Sequence, residues 1–167
     1  MNYEEFYKKG EAKVVSFNVY TSKFKKLVAG VADHICYKCS SREEYEAIRL
    51  MLEEQGASFW QSYISGRRIA VVQLPNEFYT HWGSIRYLEL ADQKPDMSQK
   101  GGWDHIEIMA SNYTEAIKRV EELGEEVQEK VRPHHTTHQI VLPNKFRFVF
   151  TREMLIDKIR NEEMVSL

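Results

Sequence analysis

The stretch Gly101-Gly102-Trp103-Asp104-His105-Ile106-Glu107-Ile108-Met109 decides how the rest of the chain is read. It sets a histidine on a strand-like alternation directly after a flexible glycine pair. The tripeptide Asp-His-Ile occurs once before, as Asp33-His34-Ile35. Two further tripeptides recur in the same order, Glu46-Ala47-Ile48 with Glu115-Ala116-Ile117 and Leu74-Pro75-Asn76 with Leu142-Pro143-Asn144. All three repeats are offset by roughly 70 residues, which points to a duplicated unit rather than chance.

Working outward from that stretch, each copy shows the same series of elements. In the first, Val31 to Cys39 reads as a strand. Ser41 with Glu44 is a capping box that opens a helix with an apolar stripe of Tyr45, Ile48, Met51 and Leu52, stopped by Gly56. Ser58 to Ile64 and Arg68 to Leu74 form a hairpin about Ser65-Gly66. A loop carrying Phe78, Tyr79, His81 and Trp82 then leads to a fourth strand, Ser84 to Leu90. In the second, Trp103 to Met109 is a strand, Thr114 to Leu123 a helix stopped by Gly124, and Glu125 to Val131, His138 to Leu142 and Phe146 to Phe150 are strands. The fold class is therefore α+β, with two tandem βαβββ modules at 31–91 and 103–150 joined by a linker at 92–102. Residues 1–30 are a helical extension, with a short helix about Tyr3 to Tyr7 and a second bearing Phe17, Tyr20, Phe24, Leu27 and Val28. Residues 151–167 are a closing helix.

The composition suits one folded unit of this size: 43% of the 167 residues are apolar and 29% charged. With 23 basic against 25 acidic residues the net charge is −2 and no block of one sign dominates, which speaks against a nucleic-acid partner. No apolar run approaches the roughly 18 residues of a membrane span, and residues 1–10 fit neither a signal nor a transit peptide, so a cytoplasmic location is expected. Two cysteines, Cys36 and Cys39, exclude a disulfide framework; cysteines three apart on a strand point to opposite faces.

Strand alternation puts His34 on one face with Cys36, and His105 on one face with Trp103 and Glu107. On the fourth strand Glu89 shares a face with Tyr87. With helices covering the other face, His34, His105 and Glu89 converge on the concave side. Two imidazoles and a carboxylate are ligands for a divalent first-row metal, with positions left for water or substrate.

The paired modules resemble the vicinal oxygen chelate superfamily, which contains glyoxalase I, extradiol dioxygenases and bleomycin-resistance proteins. Within it, Asp33-His34-Ile35-Cys36, Gly66-Arg67, Leu88-Glu89-Leu90 and Gly101 to Glu107 resemble the YecM family. The resemblance implies a cup formed by a half-open barrel, with helices packed outside and metal ligands on the first and fourth strands of each module. It places ligands at His34, Glu89 and His105, for zinc, iron, nickel or manganese, and a fourth on the last strand. Aligning the repeats sets Phe150, or Phe148 on the same face, at that fourth place, where neither can bind metal. The three ligands that remain resemble in type the facial triad of iron-dependent dioxygenases.

The resulting expectation is a metal-dependent lyase, isomerase or dioxygenase acting on a small oxygenated molecule. Glu107 is the candidate general base, unless it serves in an ion pair with Arg67, Arg86 or Arg147. Cys36, Arg67, Tyr87, Trp103, Phe148 and Phe150 are candidates for the substrate pocket, and Arg67 and Arg68 could hold an anionic group. The alternative is a metal-free protein that sequesters a small molecule between its half-barrels. Two modules in one chain can form the site without a partner chain. The run His134, His135 and His138 reads as a polar hairpin rather than a second metal site.

Overall fold

A computed structural model of the chain describes residues 1–131 and 136–159. Its frame is a single open sheet of eight strands, built from β1 (Gly30–Lys38), β2 (Ser58–Ile64), β3 (Arg67–Thr80), β4 (Gly83–Ala91), β5 (Gly102–Ala110), β6 (Gln128–Val131), β7 (Thr136–Val141) and β8 (Arg147–Thr151). The strand order is β2-β3-β4-β1-β5-β8-β7-β6. Each half is one βαβββ module: β1 runs parallel to β4 and β5 parallel to β8, while β1 and β5 pair antiparallel at the centre. The α+β class and the duplicated order are thus as read from the sequence, and the site forms where the two modules meet.

Helices cover one face. α1 (Tyr3–Thr21) is one continuous helix, not the two segments expected, because Asn2 and Glu5 form a capping box and Phe6, Gly10, Val14, Phe17 and Thr21 repeat at helical spacing as its buried stripe. A 3-10 turn, Ser22–Phe24, ends it. At Gly10 this helix lies close against the sheet: a Cβ there would lie 2.7 Å from the Trp103 ring. α2 (Arg42–Glu54), capped by Ser41, and α3 (Tyr113–Glu122) add Tyr45, Ile48, Leu52, Ala116 and Val120 to the same core. Sheet residues Ile35, Leu88, Ile106, Ile108, Phe148 and Phe150 complete it.

The supposed loop after Pro75 is mostly strand. β3 continues through Phe78 to Thr80, and the register shift between Gln73 and Phe78 absorbs the missing N–H of Pro75. The connection at 92–102 is firmly held: Gln93 donates to the carbonyls of Ser40 and Gln99, and the Gln99 amide to that of Cys39. After β8, a helical turn at 155–159 crosses to the face away from α1, α2 and α3, called the concave face below, where Ile156 and Ile159 pack with Val71, Trp60 and Tyr87. The remainder of the expected closing helix, 160–167, and His134 and His135 lie outside the described residues. His138 accepts from or donates to the Tyr113 hydroxyl at 2.7 Å. No helix among the described residues is long and apolar enough to cross a membrane.

Candidate metal centre

Two irregularities in the central strand pair shape the site. Between Ala32 and His34, β1 advances two residues while β5 advances one, so Asp33 is an extra residue. Between His105 and Trp103 the reverse holds, and Asp104 is the extra one. Each is a β-bulge, which re-aims side chains locally. As a result each aspartate turns onto the histidine that follows it. Asp33 Oδ2 lies 3.1 Å from His34 Nδ1, and Asp104 Oδ2 lies 2.7 Å from His105 Nδ1. A carboxylate on Nδ1 fixes the tautomer that leaves Nε2 free to act as a ligand.

Both Nε2 atoms face the same space. The imidazole rings are 5.6 Å apart between centroids and nearly perpendicular, at 72°. Glu89, on β4 opposite Cys36 in the register, brings Oε2 to 3.6 Å from His34 Nε2. His34, Glu89 and His105 offer ligand atoms that all lie within 4.8 Å of one another. Glu107 Oε2 is 3.3 Å from His34 Nε2 and 3.9 Å from His105 Nε2. Its partners are therefore the two histidines, where an arginine was the alternative. His34 Nε2 is buried yet has no hydrogen-bond partner among the described residues. This ring nitrogen nonetheless faces the Glu107 and Glu89 carboxylates, a donor set that suits a cation, be it the imidazolium's own proton or a metal ion.

The electrostatics separate the two histidines. Burial works against the His34 imidazolium, but Asp33, Glu107 and Glu89 outweigh it and raise its pKa to about 9. For His105 burial dominates and lowers the pKa to about 4, with His34 and Lys38 adding to the effect against Glu89 and Glu107. Glu89 is held down at about 2, burial being overcome by His34, His105 and the Cys36 thiol, which donates to Oε1 at 3.2 Å.

Several candidate pocket residues stand elsewhere. The β5–β8 register pairs Glu107 with Val149 and His105 with Arg147, so the counterpart of Glu89 is Val149. Phe148 and Phe150 face the helices, Phe148 packing with Phe17, Phe24 and Trp82 and Phe150 with Phe148. The repeat alignment was one residue out on the last strand, and a slip of one exchanges the faces. Trp103 is also on the helix side, against Phe6, Tyr37 and Phe78, because the Asp104 bulge breaks the alternation between it and His105. Cys36 and Tyr87 are on the concave face, Tyr87 beside Trp60. Arg68 is taken up by Glu46 and Asp92 on the helix side, whereas Arg67 reaches Gln99 and the Asp92 carbonyl. Asp33, Asp104, Lys38 and Arg147 were missed as site residues, although both aspartates lie inside the repeated tripeptide.

Two βαβββ modules thus meet with facing histidines at their seam. Similar solved structures include a structural-genomics protein, EC4020, with a TM-score of 0.64 at 18% identity over 90% of each chain. A methylmalonyl-CoA epimerase aligns at TM-score 0.54 and 14% identity, over 75% of this chain and 95% of its own. The methylmalonyl-CoA epimerase of Mycobacterium tuberculosis aligns at 0.51 and 15%, over 74% and 87%. At these identities the likeness is one of fold. The chain belongs to the YecM family, whose model, described as YecM protein, matches residues 2–149. No curated protein sequence matches it.

Proposed function

We propose that the chain is a divalent-metal-dependent enzyme of the vicinal oxygen chelate type acting on a small oxygenated molecule. The observation that supports this most is the unsatisfied Nε2 of buried His34, pointing into a space shared with Glu89, His105 and Glu107. A bound divalent ion would supply Lewis acidity toward two neighbouring substrate oxygens. The protein's own groups do the rest. Asp33 and Asp104 orient the imidazoles, Cys36 fixes one oxygen of Glu89 so that the other faces His34, and Glu107 is placed to take and return a proton beside the bound substrate. Val149, where a fourth ligand would stand on β8, leaves Glu107 on β5 as the second carboxylate of the site.

Elemental analysis of protein purified without chelator tests this. The reading expects about one equivalent of a first-row metal in the wild type, and below about a tenth in His105→Ala and in Glu89→Val. Wild type without metal, before and after reconstitution, would contradict it. The apolar Val149 and the Ile156–Ile159 turn in the cup favour a second reading, a metal-free binder of small molecules. In that case ligands would raise the melting temperature equally with and without metal.

A further inference from the structure

One end of the concave face is lined with cations that the metal-site reading does not use. Lys38 follows Cys36 by two residues on β1, Arg147 stands beside His105 in the β5–β8 register, and Arg67 opens β3 in the row leading to Val71. Lys38 Nζ is 3.0 Å from Asp104 Oδ1, and Arg147 pairs with Asp104 Oδ2. Asp104 is already bonded to His105, and its single charge offsets only one of these two cations. Arg147 also donates to the neutral Gln139 Oε1 at 3.1 Å, while Arg67 donates to the Asp92 carbonyl at 3.1 Å and to Gln99, so its charge is not offset by either partner.

The side chains of Lys38 and Arg147 remain 24% and 19% exposed, so both are reachable from solvent while held in fixed positions. Burial first, then Arg147 and to a smaller extent Arg67, hold the Lys38 ammonium down at about 8 against the opposing pull of Cys36 and Glu89. Asp104 lies between the two cations with a single negative charge, and Glu89 acts on both from further off, so the pair retains an excess of positive charge at the solvent side. A cavity of about 310 Å³ at the neighbouring hairpin, which has Arg42, Arg68 and Asp92 in its lining, belongs to the helix side and shares only Arg67 with this end. The opposite end is filled by Ile156 and Ile159.

We propose that Lys38 and Arg147, with Arg67 behind them, bind an oxyanion group, a carboxylate or phosphate, of the small molecule whose other oxygens lie at His34, Glu89 and His105. The inference rests on the metal-site reading, because Glu89 and Glu107 weaken the hold on an anion unless a divalent ion offsets their charge, and weaker binding remains measurable at low ionic strength. An ammonium and a guanidinium fixed side by side give both a point charge and a planar fork, which suits oxyanions.

The test is calorimetric titration of zinc-loaded wild type, and separately of chelator-treated protein, with succinate and with inorganic phosphate at low ionic strength. Zinc content is measured on the same samples. Lys38→Gln and Arg147→Gln are each expected to weaken binding about tenfold or more, while Lys38→Arg and Arg147→Lys retain most of it. The arm that binds more tightly distinguishes carboxylate from phosphate. Because both cations touch Asp104, the charge-retaining variants and an unchanged zinc content separate lost recognition from a disturbed fold. Zinc-loaded wild type that binds neither anion, or binds both as well without Lys38 and Arg147, overturns the proposal and leaves the metal reading intact. Protein that takes up no zinc fails the metal reading alone. The chelator-treated arm then decides the anion site: binding that depends on Lys38 and Arg147 supports the proposal, and no binding, or binding independent of them, overturns it.

Discussion

His34 and His105 stand at equivalent places in the two modules, each behind an aspartate at a β-bulge, yet their surroundings differ in three ways. The first module sets Glu89 opposite Cys36, and the second sets Val149 opposite Glu107, so the carboxylate has changed strands. Asp33 also accepts from the Leu155 backbone N–H at 2.9 Å, while Asp104 is held by Lys38 and Arg147. Lastly, His34 is pushed toward the charged form and His105 toward the neutral one. The backbone kept its pseudo-symmetry, bulges included, while the side chains diverged. A symmetric frame thus carries a site with two different histidines, one ringed by carboxylates at a closed end and one beside cations at an open end.

The largest effect expected from disturbing this comparison comes from the two aspartates. Asp33→Asn and Asp104→Asn should each lower metal affinity about 10- to 100-fold, the usual weight of a group that orients a ligating imidazole, as measured by competition with a chromogenic chelator. If the two ends differ as described, Asp33→Asn also frees the turn at 155–159, seen as faster amide exchange at Leu155, and Asp104→Asn does not. Equal exchange in both variants would remove the distinction.

A smaller effect is expected in the pH dependence of chelator-treated protein. His34 has a folded pKa of about 9, above its ordinary value of 6.5, so the folded state binds the extra proton. Its stabilisation is full below pH 6.5 and lost as pH rises through 9. His105, lowered from 6.5 to about 4, contributes the opposite slope: stability falls as pH drops from 6.5 through 4. The melting temperature should therefore decline by about a few degrees on the alkaline side in wild type and stay flatter in His34→Gln, with His105→Gln flattening the acid side instead. Identical pH profiles for the two variants would contradict the asymmetry.

Much of this frame could be read from the sequence, and the reasons for the failures are local. Period-two alternation placed His34, Cys36, Tyr87 and Glu89 on one face because β1 after Asp33 and β4 are regular there. It failed for Trp103 because an inserted residue leaves no compositional mark when it is an aspartate that also belongs to the motif. It failed for Phe148 and Phe150 because the first copy has a longer β3–β4 excursion, and an apolar strand such as Phe-Val-Phe aligns almost as well one residue out. Pro75 suggested a loop where the sheet tolerates a bulge. Met154, Leu155 and Ile159 signalled a helical turn, but nothing in their spacing told which face it would cross. Lys38 and Arg147 were invisible as a pair because only the sheet register brings them to the same aspartate.

The central claim is that both histidines and Glu89 bind one ion. X-ray absorption spectroscopy on zinc- or nickel-loaded wild type addresses it directly: the account predicts two imidazole nitrogens with carboxylate oxygens at about 2.0–2.2 Å, falling to one imidazole in His105→Ala. A spectrum with no imidazole scattering, or one unchanged by His105→Ala, would contradict it.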